Sequence, residues 1–145
     1  MDIATRDFGV MTVEEKDIIT FRQPIFGFES LTRFVMLMDD TLNGEFIWLQ
    51  SVEDSGICFV LANPRSFLPS YAPQLPGEVR KALGDGMLEL WLVMVVKQDF
   101  KASTVNLKSP IVLNLTENTG MQLILEDELP IRYPLFAEGE EVAAC

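Results

Sequence analysis

The sequence predicts an all-β protein, a small antiparallel β-barrel or sandwich-like barrel with one short helix. Three observations support this fold class. Short apolar segments follow one another at close spacing, separated by Gly, Pro, Asn and Asp residues that favour turns. No long helical pattern alternates with them, as an α/β fold would require. The 145 residues carry 48% hydrophobic side chains, which suffices for one core without disulfides or a metal.

The N-terminal half contains predicted strands joined by turns. Residues 5–13 and 18–21 are rich in apolar and β-branched side chains and flank a polar segment, so we predict a first hairpin there. Residues 22–29 contain Pro and Gly and predict a loop. Three further strands are predicted, over residues 33–38, 45–50 and 57–62. The first two are joined through Asn43-Gly44, a strong hairpin signal.

The C-terminal half contains the predicted helix and the longest apolar strand. Three prolines exclude a regular helix interior over residues 63–75, whereas residues 76–84 begin with Pro-Gly-Glu and end with bases and Gly, which predicts a two-turn helix. Residues 87–96 predict a central strand buried on both faces. The apolar runs 111–115 and 121–125 flank a polar turn and predict a second hairpin.

One domain accounts for most of the chain. We place a single β-barrel domain at residues 1–136, ending in the irregular, proline-bounded segment 129–136. Residues 137–145 predict an acidic, frayed tail. The longest apolar run, residues 90–96, is too short to span a bilayer, and the N-terminus lacks the pattern of a secretory signal. We therefore expect a cytoplasmic monomer with no membrane contact.

Composition disfavours several classes of function. The chain has no histidine, which removes the commonest general base and metal ligand. Its net charge of −11 repels phosphates, which disfavours direct nucleic acid binding, and it suits a basic protein partner. Solubility is the simpler explanation of the charge taken alone. Cys58 lies in an apolar run and Cys145 is the last residue, so we predict a buried thiol, a loose thiol and no disulfide.

No residue pattern assembles a catalytic or metal site. Asp39 and Asp40 are adjacent carboxylates before a turn, where Asp commonly bonds its own backbone. The acidic run 126–128 lacks the spacing of a calcium loop. Trp48 and Trp91 lie in apolar strands and are expected in the core. We expect no enzymatic activity and no cofactor. The residue patterns indicate a binding function instead. A β-barrel small-molecule-binding protein or hydrolase is the alternative.

Several motifs, in order along the chain, match one known family. Residues 104–114, TVNLKSPIVLN, resemble the T-x-N-L-x-(A/S)-P-I-V-x-N signature of the flagellar assembly factor FliW family. The other matches are residues 46–51 to F-x-W-L-Q-S, residues 27–29 to the end of G-L-P-G-F-E, residues 122–125 to Q-x-I-L, and Arg132 with residues 134–135 to R-x-P-L. The chain departs from the family at residues 24–26, where Pro-Ile-Phe replaces Gly-Leu-Pro. The resemblance covers residues 5–135.

The resemblance implies a function in flagellar gene expression. Family members are small cytoplasmic β proteins without catalytic activity. They bind newly made flagellin, and they bind the RNA-binding translational regulator CsrA, which prevents it from repressing flagellin translation. Secretion of flagellin frees the factor to capture the regulator. The implied role is to couple flagellin translation to export.

Nine residues are candidates for partner contacts. Acids at two hairpin turns, Asp39, Asp40, Glu53 and Asp54, suit a basic regulator and repel its RNA. Aromatics on loops, Phe26, Phe28 and Tyr71, suit flagellin through an apolar groove or strand edge, although covering the end of the core is an equally good explanation. Asn106 either caps backbone groups or bonds a partner. Glu29, in the Gly-Phe-Glu motif, completes the set.

Overall fold

The computed structural model describes residues 1–38 and 44–135. The strands are β1 (Asp2–Ala4), β2 (Val10–Thr12), β3 (Ile18–Gln23), β4 (Arg33–Met38), β5 (Phe46–Ser51), β6 (Cys58–Ala62), β7 (Leu88–Val95), β8 (Thr104–Val105), β9 (Ile111–Asn114), β10 (Thr119–Gln122) and β11 (Tyr133–Pro134). The helices are α1 (Pro64–Phe67) and α2 (Gly77–Leu83). No helix in this part of the chain is long and apolar enough to cross a membrane.

Seven strands close into a barrel. The order is β7-β6-β5-β4-β3-β10-β9, and β9 pairs back onto β7 through Trp91 and Ile111. Every neighbouring pair is antiparallel except β3 and β10, which run parallel. The predicted all-β barrel is therefore confirmed. The parallel pair arises because the β9–β10 hairpin places its second strand beside β3.

Apolar side chains fill the barrel interior. Alternate residues of each strand point inward, and Phe34, Ile47, Leu49 and Leu61 are completely shielded from solvent. The Phe34 ring packs against the rings of two neighbouring phenylalanines, with ring centroids 4.9 Å and 6.2 Å away. A barrel of this size is narrow enough for side chains to fill it, so its interior forms the main core.

Three covers bury much of the outer face of the barrel. The β1–β2 hairpin packs Ile3 over the outward side chains of β4. Helix α2 packs Val79 and Leu83 over β9 and β10. The segment after β6, together with β8 and residues around Leu135, covers part of β6 and β7. These covers explain why the barrel strands are nearly continuously apolar in sequence, since both of their faces are largely buried.

The first predicted hairpin is wrong. Strand β2 pairs with β1 and not with β3, in the register Ile3 to Met11. The turn lies at residues 5–9, where Thr5 N donates to Gly9 O at 2.9 Å and Gly9 adopts a φ of 67° that favours glycine. The polar segment predicted to form the turn contains a short 3-10 helix, Glu15–Asp17, which leads into β3.

The later predicted elements agree with the structure, with shifted bounds. Helix α2 lies within predicted residues 76–84, and the β9–β10 hairpin occupies the predicted place. The unpredicted helix α1 is a single turn that Pro64 begins, a position where proline is tolerated. In the predicted irregular C-terminal segment, β11 pairs with β8. Asn43 and the predicted tail, residues 137–145, lie outside the described residues, and the domain boundary stays a prediction.

Candidate functional site

One end of the barrel brings together the candidate residues that the structure describes. Strand pairing places the end of β5 beside the start of β4, through Ser51 and Phe34, and the end of β10 beside the start of β9, through Gln122 and Ile111. Residues 24–32, 52–57 and 106–110 leave the strands at this end, which we call the loop end. It contains Phe26, Phe28, Glu29, Glu53, Asp54 and Asn106, and Tyr71 reaches it through Leu107.

Hydrogen bonds join the loop of Phe26 to the segment of Asn106. Phe26 N donates to Gln122 Oε1 at 2.8 Å, and Gln122 Nε2 donates to Ser109 O at 3.2 Å. Ser109 N in turn donates to Asn106 Oδ1 at 3.0 Å. Two loops that are far apart in sequence therefore form one continuous surface at the loop end.

The two loop phenylalanines differ in environment. The Phe28 ring packs edge-on against Phe59, with ring centroids 5.0 Å apart, and contacts the barrel core. Phe26 is 60% exposed. Phe28 therefore covers the end of the core, which was the alternative to partner binding for the loop aromatics. Phe26 instead presents apolar surface to solvent.

The described acids of the loop end are exposed. Glu53 Oε1 accepts hydrogen bonds from Thr32 N at 2.8 Å and Arg33 N at 3.0 Å, which ties the β5–β6 turn to the start of β4. Asp54 Oδ1 accepts from Gly56 N at 3.0 Å, and Glu29 is exposed in the loop of residues 24–32. The turn geometry thus fixes two negative charges at the loop end.

Asp39 and Asp40 lie outside the described residues. Met38, which precedes them, pairs with Ile47, whereas Ser51, which precedes the Glu53 turn, pairs with Phe34. Met38 and the turn that contains Glu53 therefore lie at opposite ends of β5. Contact of Asp39 and Asp40 with a partner stays a prediction.

Glu53→Gln is expected to have a small, pH-dependent effect on stability. The backbone hydrogen bond from Arg33 is the main cause that lowers the pKa of the Glu53 carboxyl. A lowered pKa stabilises the fold above the unfolded value near 4.3, and this contribution is lost as the pH falls through the folded pKa. Because solvent screens this exposed group, we expect the variant to lose at most about 1 kcal/mol at neutral pH.

Urea denaturation at neutral pH and near pH 3 measures this effect. The difference between wild type and Glu53→Gln should shrink at the lower pH, where the wild-type carboxylate becomes protonated. An equal difference at both pH values would contradict an ionic contribution.

Asn106 and Tyr71 position the segment that precedes β9. Asn106 Oδ1 accepts from Lys108 N and Ser109 N, both at 3.0 Å, so its amide caps backbone groups, one of its two anticipated roles. The Tyr71 hydroxyl donates to Leu107 O at 2.7 Å, and burial raises the pKa of Tyr71 to about 12, which keeps the donor protonated. A direct contact of either residue with a partner stays a prediction.

Two buried polar residues, Gln50 and Asn114, were not among the residues predicted from the sequence to form the site. Gln50 is completely buried, and its Oε1 accepts from Arg6 N at 2.9 Å while its Nε2 donates to carbonyl oxygens of the β5–β6 turn. Asn114 is also completely buried and links α2 to the β9–β10 turn. A polar residue inside an otherwise apolar strand was the available signal, since such groups are buried only with hydrogen-bond partners.

An apolar groove lies on the outer face of β5, β6 and β7. Its volume is about 440 Å³, and we call it the outer groove. It is lined by Phe46, Trp48, Val60, Met94, Val96 and Phe100, with Arg6 and Asp7 at its edge. Trp91 lies in the core as predicted, but Trp48 is only partly buried on this outer face, because β5 directs it away from the barrel interior.

Potential metal ligands and the thiol of Cys58 were located among the described residues. Among residues 1–38 and 44–135, no three His, Cys, Asp or Glu side chains are placed to hold a metal ion together. Cys58 is buried, as predicted, and burial raises the pKa of its thiol to about 11. The thiol therefore stays protonated at neutral pH, which makes it a poor nucleophile.

Comparisons with known proteins identify relatives over nearly the whole chain. The sequence profile of the family described as "FliW protein" matches residues 2–135. The flagellar assembly factor FliW of Caldicellulosiruptor saccharolyticus is 40% identical over 138 residues, which cover 92% of this chain and 90% of that protein. The one from Caldanaerobacter subterraneus subsp. tengcongensis is 34% identical over 142 residues, covering 95% of each chain.

A solved structure gives the same result. The crystal structure of a flagellar assembly factor FliW superposes with a TM-score of 0.87 at 35% sequence identity, covering 95% of this chain and 99% of that chain. The family profile and the superposed structure each cover nearly the whole chain. This chain therefore belongs to the FliW family of flagellar assembly factors.

Proposed function

We propose that this chain is a non-enzymatic, cytoplasmic regulatory protein that binds flagellin and also binds the RNA-binding translational regulator CsrA. Binding of the regulator relieves its repression of flagellin translation, and release of flagellin by export makes the factor available for it. Membership of the FliW family over residues 2–135 is the observation that carries this proposal. The chain acts as a monomer.

The charge distribution supports binding of a basic regulator. The whole chain carries a net charge of −11, and the described loop end presents Glu29, Glu53 and Asp54 to solvent. Negative charge of this kind accelerates association with a basic protein and repels RNA phosphates from the resulting complex. The loop end is therefore the surface that we assign to the regulator.

A barrel that binds or hydrolyses a small molecule is the alternative function. It would need an internal pocket with converging carboxylates. The barrel interior is instead occupied by apolar side chains such as Phe34, Leu49 and Leu61. Binding at the outer surface is therefore the better-supported function.

The proposal is tested by size-exclusion chromatography of purified mixtures. We expect a stoichiometric complex with monomeric flagellin and a second one with the regulator, because each partner has an assigned surface on this chain. An unrelated basic protein of similar size serves as the control for attraction by charge alone. If neither complex forms, the proposal is refuted.

The regulator complex should also depend on salt, because exposed charges are screened. Glu29→Gln with Asp54→Asn is expected to weaken regulator binding by about tenfold, on the order of threefold for each of the two charges removed. Glu78→Gln with Asp85→Asn, which removes the same charge near helix α2, is the matched control. Equal effects of the two double variants would remove the loop end from the regulator surface.

A further inference from the structure

We propose that the outer groove is the surface on which flagellin docks, through an amphipathic helix with about three large apolar side chains along one face. This inference rests on the proposed function, because flagellin is its partner, and adds the place and the mode of contact. Phe28 then packs only against the core, and the apolar contact with flagellin lies on another face of the protein.

Three neighbouring strands form the floor of the outer groove. Trp48 of β5, Val60 of β6 and Met94 of β7 all point to the outer face. Val96 and Phe100, which are 51% and 46% exposed, border it on one side. The loop of the β1–β2 hairpin borders it on another, and the Phe8 ring packs edge-on against Trp48 with ring centroids 5.3 Å apart.

The outer groove leaves apolar surface open to solvent, through exposed Val96 and Phe100 and partly buried Trp48 and Val60. The described covers bury the outer faces of β4, β9 and β10 and part of β6 and β7, where Met94 is buried, but they leave the outer groove open along Trp48, Val96 and Phe100. Exposed apolar patches lower solubility, and on soluble proteins they commonly mark interaction sites. The groove is nearly free of polar lining, so its occupant must be apolar where it makes contact.

The pairing of the floor strands favours a helix as the occupant. Strand β5 is hydrogen-bonded to β4 and β6, and β6 is hydrogen-bonded to β5 and β7, so the floor offers no free strand edge. An extended peptide laid across it would bury its own N–H and C=O groups against apolar side chains at a high cost. A helix satisfies its backbone internally and presents only side chains.

The size of the groove sets the number of anchoring side chains. An apolar cavity of about 150 Å³ accommodates a benzene ring. The outer groove, at about 440 Å³, therefore has room for roughly three such groups. Residues at i, i+3 or i+4, and i+7 of one helix provide three side chains along a single face.

The charges beside the outer groove predict which residues flank the apolar face of that helix. Lys97 and Lys101 are exposed next to Val96 and Phe100, in a chain whose net charge is −11. The nearby acids have local partners, since Asp7 pairs with Arg6 at 2.8 Å and Asp99 accepts from Lys101 N at 3.2 Å. A helix with acidic residues beside its apolar face complements this border, whereas the basic regulator suits the loop end.

A matched pair of variants tests the proposal. Val96→Asp places a charge in the outer groove, and Val10→Asp makes the same change at a side chain that is 72% exposed and does not line it. We expect Val96→Asp to weaken flagellin binding by about tenfold or more, and Val10→Asp to leave it unchanged. Unchanged binding of the regulator by both variants shows that they are folded.

The outcomes separate this inference from the proposed function. If flagellin does not bind the wild-type chain, the flagellin part of the proposed function fails and the inference with it. If flagellin binds wild type, Val96→Asp and Val10→Asp equally, the inference alone is overturned. Equal weakening by both variants also overturns it, because the effect then follows net charge and not the groove.

Tryptophan fluorescence provides an independent measurement. Trp91→Phe leaves Trp48, on the floor of the groove, as the only indole of the chain. Addition of flagellin should shift its emission to shorter wavelength, because a docked helix excludes water from the ring. No shift on formation of the complex would overturn the proposal.

Two competing occupants give different results in the same assay. If residues 136–145 of this chain fill the groove, their deletion shifts the Trp48 emission to longer wavelength with no partner present. If a second copy fills it, the wild-type chain is a dimer that Val96→Asp dissociates. Either result would overturn the assignment to flagellin.

Discussion

Asn114→Ala is expected to lower the free energy of unfolding by about 3 kcal/mol, which would be among the largest effects of any single polar replacement in this chain. Asn114 Nδ2 donates to the carbonyl oxygens of Leu83 and Asp85 at 3.0 Å each. Its Oδ1 accepts from Thr116 N at 3.0 Å and Glu117 N at 3.1 Å. One buried amide therefore holds the end of α2 against the β9–β10 turn, and alanine leaves several of these groups without a partner.

Urea denaturation followed by circular dichroism measures this loss, and Asn106→Ala is the matched control. Asn106 also belongs to the motif of residues 104–114, but it caps only two backbone N–H groups and is partly exposed. We expect it to cost about 1 kcal/mol, because water can replace the lost acceptor. Similar losses for the two variants would contradict the role assigned to burial.

Gly120→Ala is expected to destabilise the fold by about 2 kcal/mol through overpacking. A Cβ atom at Gly120 would lie 2.7 Å from Phe21 Cε1 and 3.0 Å from Leu113 Cδ2. The Phe21 ring has little freedom to move, because it is buried and packs against Phe34 with ring centroids 4.9 Å apart. The parallel pairing of β3 and β10 therefore depends on the absence of a side chain at this position.

Gly77→Ala makes the same chemical change where space is available. No atom outside the immediate neighbours lies within 4 Å of a Cβ placed at Gly77, the first residue of α2. We expect a gain of up to about 0.5–1 kcal/mol, since alanine restricts the unfolded chain and favours helix. Thermal denaturation of both variants should shift in opposite directions. A loss at Gly77 as large as that at Gly120 would show that the close approach to Phe21 is not the cause.

The motifs that reveal the family consist mainly of residues that build the fold. Gln50, Asn106 and Asn114, which lie within them, each make several hydrogen bonds to loop backbone, and Gln122 does the same. Such residues fix the positions of loops and covers around the barrel. The exposed residues proposed to bind partners, such as Glu53 and Val96, lie mostly at the edges of these motifs or outside them. Recognition of the family and location of the binding surface are therefore separate problems.

Local sequence signals predicted most strands but not all of their partners. Strand β4 and helix α2 follow from apolar runs and from the Pro and Gly residues that bound them. The predicted pairing of residues 5–13 with 18–21 failed because two competing turns lay nearby. Gly9 and Thr5 close the first turn, and the 3-10 helix at Glu15–Asp17 redirects the chain to the barrel. Short-range patterns do not decide between such turns.

The candidate site was only partly predictable for the same reason. The turn residues of the sequence predicted that Glu53 and Asp54 are exposed, because the positions of these side chains depend on contacts within the turn itself. The outer groove could not be predicted, because it combines β5, β6, β7 and the β1–β2 loop, which are distant in sequence. Trp48 appears in sequence as one more apolar strand residue, and only the strand orientation shows that it points outward.

The sequence by itself determined the all-β class, the family, the absence of histidine and the strongly acidic character of the chain. These properties depend on composition and on patterns within a few residues. The tertiary structure decided that β10 lies parallel to β3, that six of the candidates and Tyr71 share one end of the barrel, and that an apolar groove stays accessible on its outer face. These properties depend on contacts between distant segments, which form only when the barrel closes and its covers pack.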